Sequence, residues 1–156
     1  MTTRTTNNTL SEIAEFLKTL DRVAVTTHVG ADGDAIGASA ALVRLMRRLG
    51  ATAVFCHAEG VPEYLGWLMP GEPLLELPPD HDLLVADTSR ADRSGVPVPE
   101  AGARLNVDHH EDNPLYAEYN LVSPRAAATA EIVADLYAEL DVPIDRPAAE
   151  ALYVGL

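Results

Sequence analysis

The chain has 156 residues and a mass of 16.7 kDa, a length that suits one domain and cannot hold a large two-domain enzyme. With 47% hydrophobic and 22% charged residues it has the composition of a folded globular chain, which excludes disordered and collagen-like classes. Eleven Lys and Arg against 24 Asp and Glu give a net charge of −13, which argues against duplex-DNA binding through a basic surface but leaves open phosphate chemistry carried by bound cations.

Residues 1–8 read as a disordered leader. Thr9 and Glu12 stand at capping-box spacing before Leu10, Ile13, Phe16, Leu17 and Leu20, which share one helical face. The run Arg22 to Thr27 predicts a strand. It meets a loop, His28-Val-Gly-Ala-Asp-Gly-Asp34, and a long helix to Leu49, on which Arg44, Arg47 and Arg48 form the solvated face. Gly50 ends that helix, and Ala51 to Cys56 predicts the next strand of a βαβ unit. A short helix is expected around Tyr64 to Leu68. Strands follow at Asp82–Asp87, Ala103–Asp108 and Glu118–Val122, then helices from Ala126 to Leu140 and from Pro147 to Leu156. The sum is an α/β fold with a mostly parallel sheet flanked by helices.

The lone Cys56 excludes an intramolecular disulfide and a thiolate cluster, and reads as a small buried hydrophobe in a reducing compartment. No apolar run is long enough for a membrane span, so the expectation is a cytoplasmic chain without a membrane partner.

Three predicted strands deliver polar residues at their carboxyl ends: His28 after the first, Asp87 after the third, and Asp108, His109 and His110 after the fourth. In an open parallel sheet these ends form one ligand-binding edge. Asp32 and Asp34 join that edge from the loop after His28. So many carboxylates beside imidazoles require cations, and oxygen and nitrogen donors without sulfur favour Mn²⁺, Mg²⁺, Co²⁺ or Zn²⁺. An EF-hand beginning at Asp32 fails at Ile36 and Val43, and the glycines at 30, 33 and 37 fit neither a phosphate-binding P-loop nor a dinucleotide fingerprint. Asp32 and Asp34 also suit the cap of the helix beginning near Ala35. His57 and His81 lie outside every motif and are read as solvent-facing. Arg90, Arg93 and Arg125 are candidate phosphate contacts, and Tyr116 and Tyr119 are weighed as base-stacking or core residues.

His28-Val-Gly-Ala-Asp-Gly-Asp-Ala-Ile-Gly37, Asp87 after a strand, Asp108-His109-His110 with Asn113, and Ala128-Thr-Ala-Glu-Ile-Val133 together resemble the motifs of the DHH phosphoesterase superfamily. The first motif is most similar to the bacterial branch of oligoribonucleases that also dephosphorylate 3′-phosphoadenosine 5′-phosphate. The resemblance implies a catalytic domain over 9–156, incomplete at its C-terminal end, with the fourth-motif aspartate and the DHHA1 domain lying outside these residues. It implies two divalent ions, Mn²⁺ first and Mg²⁺ or Co²⁺ as alternatives. His28, Asp32 and Asp87 would bind one, and Asp34, Asp87 and His109 the other, with Asp87 bridging. His110 would face the phosphate and Asp108 would orient the histidines. Expected substrates are short RNA, small nucleotides or linear and cyclic dinucleotides, and the full-length family member is expected as a homodimer. A catalytically impaired metal- or nucleotide-binding fragment and an inorganic-pyrophosphatase-like enzyme are the competing readings.

Overall fold

Five short apolar runs form the strands of one all-parallel sheet: β1 (Arg22–Thr26), β2 (Thr52–Phe55), β3 (Asp82–Ala86), β4 (Leu105–Asp108) and β5 (Tyr119–Val122). The computed structural model describes residues 6–156. The spatial order is β2-β1-β3-β4-β5, with Val23 paired to Ala53 on one side and Asp82 on the other. From β1 the chain steps outward to β2, then returns to the opposite side for β3. The crevice between the carboxyl ends of β1 and β3 is therefore the topological switch point, where such sheets bind ligands.

Strand alternation sends Val23, Val25, Leu84, Leu105 and Val107 into the main core, under α1 (Leu10–Leu17), α2 (Gly33–Arg48), α3 (Thr129–Glu139) and α4 (Arg146–Gly155). The opposite strand positions, Ala24, Leu83 and Val85, pack instead with Cys56, Val96, Ala103 and Ala117 from irregular segments. The four α-helices of the described residues thus share one apolar core, and loops cover the second face.

The capping box starts α1: Glu12 N–H donates to Thr9 Oγ1 at 3.2 Å and Thr9 N–H to the Glu12 carboxylate at 3.1 Å. Asp32 caps α2, accepting from Ala35 N–H at 2.9 Å, so this helix begins at Gly33, slightly earlier than the sequence suggests. α2 is buried along most of its length because α4 lies directly on it. A Cβ at Gly37 would stand 2.3 Å from the Ala151 carbonyl oxygen, so only glycine permits this approach.

Several sequence expectations are adjusted. The expected disordered leader, 1–8, is tied to the sheet at its end: Asn7 exchanges side-chain hydrogen bonds with the Val122 backbone, and Asn8 pairs with Asn120, while 1–5 lie outside the described residues. The segment Glu63–Leu68 is a 3-10 helix. The helix expected from Ala126 begins at Thr129, and the last helix begins at Arg146, with Asp145 as its cap and Pro147 in its first turn. Among the described residues no helix is long and apolar enough to cross a membrane.

Candidate metal centre

The site is built on the ends of β1, β3 and β4. Asp87 directly follows β3 and adopts a left-handed backbone conformation, φ 53°, rare for a residue with a side chain. Its amide still donates to the Val107 carbonyl at 2.8 Å, so the strand ladder fixes the backbone and the carboxylate turns into the switch-point crevice. That side chain is only 3% exposed. Its Oδ2 lies 3.6 Å from His28 Nε2 and its Oδ1 lies 3.5 Å from His109 Nε2. One carboxylate thus faces two histidines with two different oxygens.

Asp32 Oδ1 stands 3.8 Å from His28 Nε2, and Asp34 Oδ2 stands 3.6 Å from His109 Nε2. These separations are too long for hydrogen bonds. They are close to the roughly 3.0–3.6 Å that separates two ligands on one ion with bonds of about 2.1 Å. His28, Asp32 and Asp87 form one group with mutually close donor atoms, and Asp87, His109 and His110 form another.

The ring nitrogens are prearranged for this. His28 Nδ1 is 2.7 Å from the Val29 carbonyl, and His109 Nδ1 is 3.3 Å from the Ala126 carbonyl, so each Nδ1 donates to a backbone oxygen and each Nε2 is the atom left facing the carboxylates. His110 Nδ1–H donates to Asp108 at 2.6 Å, leaving its Nε2 for the crevice. Asp108 is fully buried and is itself held by the Asn113 amide at 2.7 Å, which also donates to Asn106 at 2.7 Å. The donors thus gather in two groups that share Asp87, His28 and Asp32 on one side and His109 and His110, with Asp34 near His109, on the other, and their oxygen and nitrogen atoms suit divalent ions.

Asp34 lies on α2 but caps a different helix. Its two oxygens accept the Thr129 and Ala130 amides of α3, both at 2.9 Å, and the Ala128 N-cap position supplies no side-chain cap of its own. Burial, reinforced by the charge of Asp87, pushes the Asp34 carboxyl up to about 6. Asp87, facing its Nε2, raises the His28 pKa to about 8 against partial burial, with the Val29 carbonyl and Asp32 adding to the effect. Burial works against the charged His110 ring, but its hydrogen bond to Asp108 and the charges of Asp108, Asp87 and Asp112 outweigh it and raise the pKa. Cys56 is no competing nucleophile, since burial pushes its thiol up to about 12.

Two supporting roles are not assigned by the sequence, one of them for Thr129 inside the Ala128–Val133 motif. Thr129 is buried, and its hydroxyl donates to Asp87 Oδ1 at 2.9 Å. His57 is 1% exposed, which corrects its reading as solvent-facing. Glu59 N–H donates to its Nδ1 at 3.1 Å, so the Nε2 bears the proton and donates to the His28 carbonyl at 2.9 Å. The ring rests on Gly95, where a Cβ would lie 2.1 Å from it. The only sign of this in the sequence is a polar residue just beyond the apolar run that ends at Cys56. His81 is half-buried and bonded to the Pro79 carbonyl, outside the site. Tyr116 donates its hydroxyl to the Thr88 carbonyl at 2.9 Å, and Tyr119 stacks on Phe16 at 3.8 Å. Tyr119 lines a wide groove of about 760 Å³ beside α1, which contains none of the groups at the sheet edge. The crevice at the site has a volume of about 300 Å³ and is lined by His28, Asp32, Asp87, Arg93, His110 and Asp112, among others.

Residues 22–156 match the DHH family, N-terminal domain. The chain is 36% identical over 149 residues to a bifunctional oligoribonuclease and PAP phosphatase, NrnA, of Thermus thermophilus, covering 92% of this chain and 45% of that protein. It is 28% identical over 159 residues to the protein of the same name from Mycoplasma pneumoniae, covering 94% and 48%. The chain spans about half the length of these curated relatives. An exopolyphosphatase-related protein from Bacteroides fragilis has the same fold, with a TM-score of 0.77 at 19% identity over 93% of this chain and 48% of its own.

Proposed function

The chain belongs to the DHH family, and from that premise we propose that it is the catalytic domain of a metal-dependent phosphoesterase acting on short oligoribonucleotides and small nucleotides such as 3′-phosphoadenosine 5′-phosphate. The observation that carries this reading is the Asp87 carboxylate, which offers one oxygen to the His28 group and the other to the His109 group. Two divalent ions, Mn²⁺ by preference for a mixed carboxylate and imidazole set, would supply positive charge to the attacking and leaving oxygens of an in-line displacement at phosphorus.

The chain's own residues supply the rest. His28, Asp32, Asp34, Asp87 and His109 hold the charge, and Thr129 keeps the shared carboxylate in place. His110, whose raised pKa favours the imidazolium, directs Nε2–H toward the phosphate and balances its charge. Asp108 fixes the His110 ring by accepting its Nδ1–H. The reaction adds water across a P–O bond, giving a phosphate and a free hydroxyl. We assign the domain to the cytoplasm, where its nucleotide substrates and a reduced Cys56 are both expected.

Hydrolysis of a diribonucleotide, 3′-phosphoadenosine 5′-phosphate and inorganic pyrophosphate, each with Mn²⁺, tests the proposal. Asp87→Asn is expected to lower turnover by at least about 100-fold, since both ion groups lose a charged ligand. Unchanged turnover in that variant would sink the mechanism, and a preference for pyrophosphate would replace the nucleotide reading.

A further inference from the structure

The crevice that holds this site is acidic: Asp32, Asp87 and Asp112 line it, with Asp34 and Asp108 close behind. Among its lining residues Arg93 is the one permanent cation. Its guanidinium makes no hydrogen bond or ion pair among the described residues. The neighbouring arginines differ. Arg90 is spent on Asp92, which it grips through Nε at 3.1 Å and Nη2 at 2.6 Å. Arg125 lines a separate hollow with Leu10, Glu131 and Asp135.

The backbone that carries Arg93 is tied to the strand end that carries His28. The Val29 amide donates to the Arg93 carbonyl at 2.8 Å, Gly95 N–H donates to Thr27 at 2.7 Å, and Ser94 bridges His28. Buried His57 locks the same junction through the His28 carbonyl and the surface of Gly95. Arg93 therefore springs from a fixed base beside the site, with only its side chain free. Arg93 is exposed at the rim of this acidic crevice, with no carboxylate of the described residues within ion-pair distance, so it keeps all its donors for an incoming anion, and the planar fork suits two oxygens of a phosphate.

We propose that Arg93 is the substrate-anchoring residue of this crevice, its guanidinium binding a phosphate group of the nucleotide. This rests on the phosphoesterase reading and adds a specificity contact to it. A substrate phosphate entering between Asp32 and Asp112 meets repulsion that Arg93 offsets, so charged phosphates are retained and uncharged nucleosides are not.

The test is the affinity of the Mn²⁺-supplied chain for adenosine, adenosine 5′-monophosphate and adenosine 3′,5′-bisphosphate, read as Kd, or as KM where a probe is turned over. Wild type is compared with Arg93→Ala, Arg93→Lys and the charge-matched control Arg90→Ala. Arg93→Ala is expected to weaken the phosphorylated probes by about tenfold or more, as for loss of a charge-assisted pair. Arg93→Lys should fall between, and Arg90→Ala should match wild type. Mn²⁺ uptake, followed by calorimetry, is not weakened, because removing a cation cannot repel another. Equal losses for both phosphorylated probes assign Arg93 to the phosphate they share, and a loss for the bisphosphate alone assigns it to the second; either supports the proposal. Arg93→Ala binding both probes as wild type does overturns the proposal and leaves the metal site standing. A wild-type chain that takes up Mn²⁺ but prefers neither phosphorylated probe over adenosine overturns both this contact and the nucleotide reading.

Discussion

On the proposed ligand assignment, a proton and a divalent ion compete for the same atoms of His28 and Asp34. Asp34 is raised to about 6 by burial and by Asp87, and His28 to about 8 by Asp87, so ion uptake must displace protons from both across this interval. Ion affinity is therefore expected to rise with pH from below 6 to 8. The ion-free fold runs the other way. A carboxyl raised from 3.8 to about 6 costs stability as it ionises over that range. A histidine raised from 6.5 to about 8 contributes stability that is complete below about 6.5 and is lost as pH climbs through 8. The increase in Tm on adding Mn²⁺ should thus be larger at pH 8 than at pH 5.5. An equal increase at both values would contradict the ligand assignment. The convergence of these histidines and aspartates on one sheet edge was legible because each lies at, or within two residues of, the end of an element. The role of His57 was not, nor was the contact that Thr129 makes from within its motif, since each acts through an atom of a residue distant in sequence, and no local pattern records that contact.

Elements obeyed local rules where their ends are capped locally. The Thr9–Glu12 box, Asp32 and Asp145 each sit within three residues of the amide they cap, and the corresponding helix starts were readable to within about two residues. α3 departs because its first amides are bound by Asp34 from α2, so its start depends on packing, and the expected turn at Ala126 stays outside the helix. Strand identity was legible from apolar β-branched runs, whereas strand order was not, because it follows from where the crossovers land. The α2–α4 contact gives a direct test at this scale. Gly37→Ala puts a methyl against the Ala151 carbonyl and is expected to cost about 1–3 kcal/mol by overpacking, measured by urea unfolding. Unchanged stability would mean that the two helices do not meet as closely as described.

At the scale of the whole molecule, the sheet order is what turns scattered residues into a site. β1 and β3 are neighbours although β2 intervenes in sequence, so His28 and Asp87 come together at the one place where the winding reverses. β4 then brings Asp108, His109 and His110 alongside, and α2 and α3 close the rear through Asp34. The site's shape is thus a property of the fold, and the proposed chemistry hinges on one shared carboxylate. Calorimetric titration of Mn²⁺ into the wild-type chain and Asp87→Asn, side by side, tests this most directly. The bridged site predicts two ions in the wild type and loss of both together in the variant; two ions retained at wild-type affinity by Asp87→Asn would contradict it.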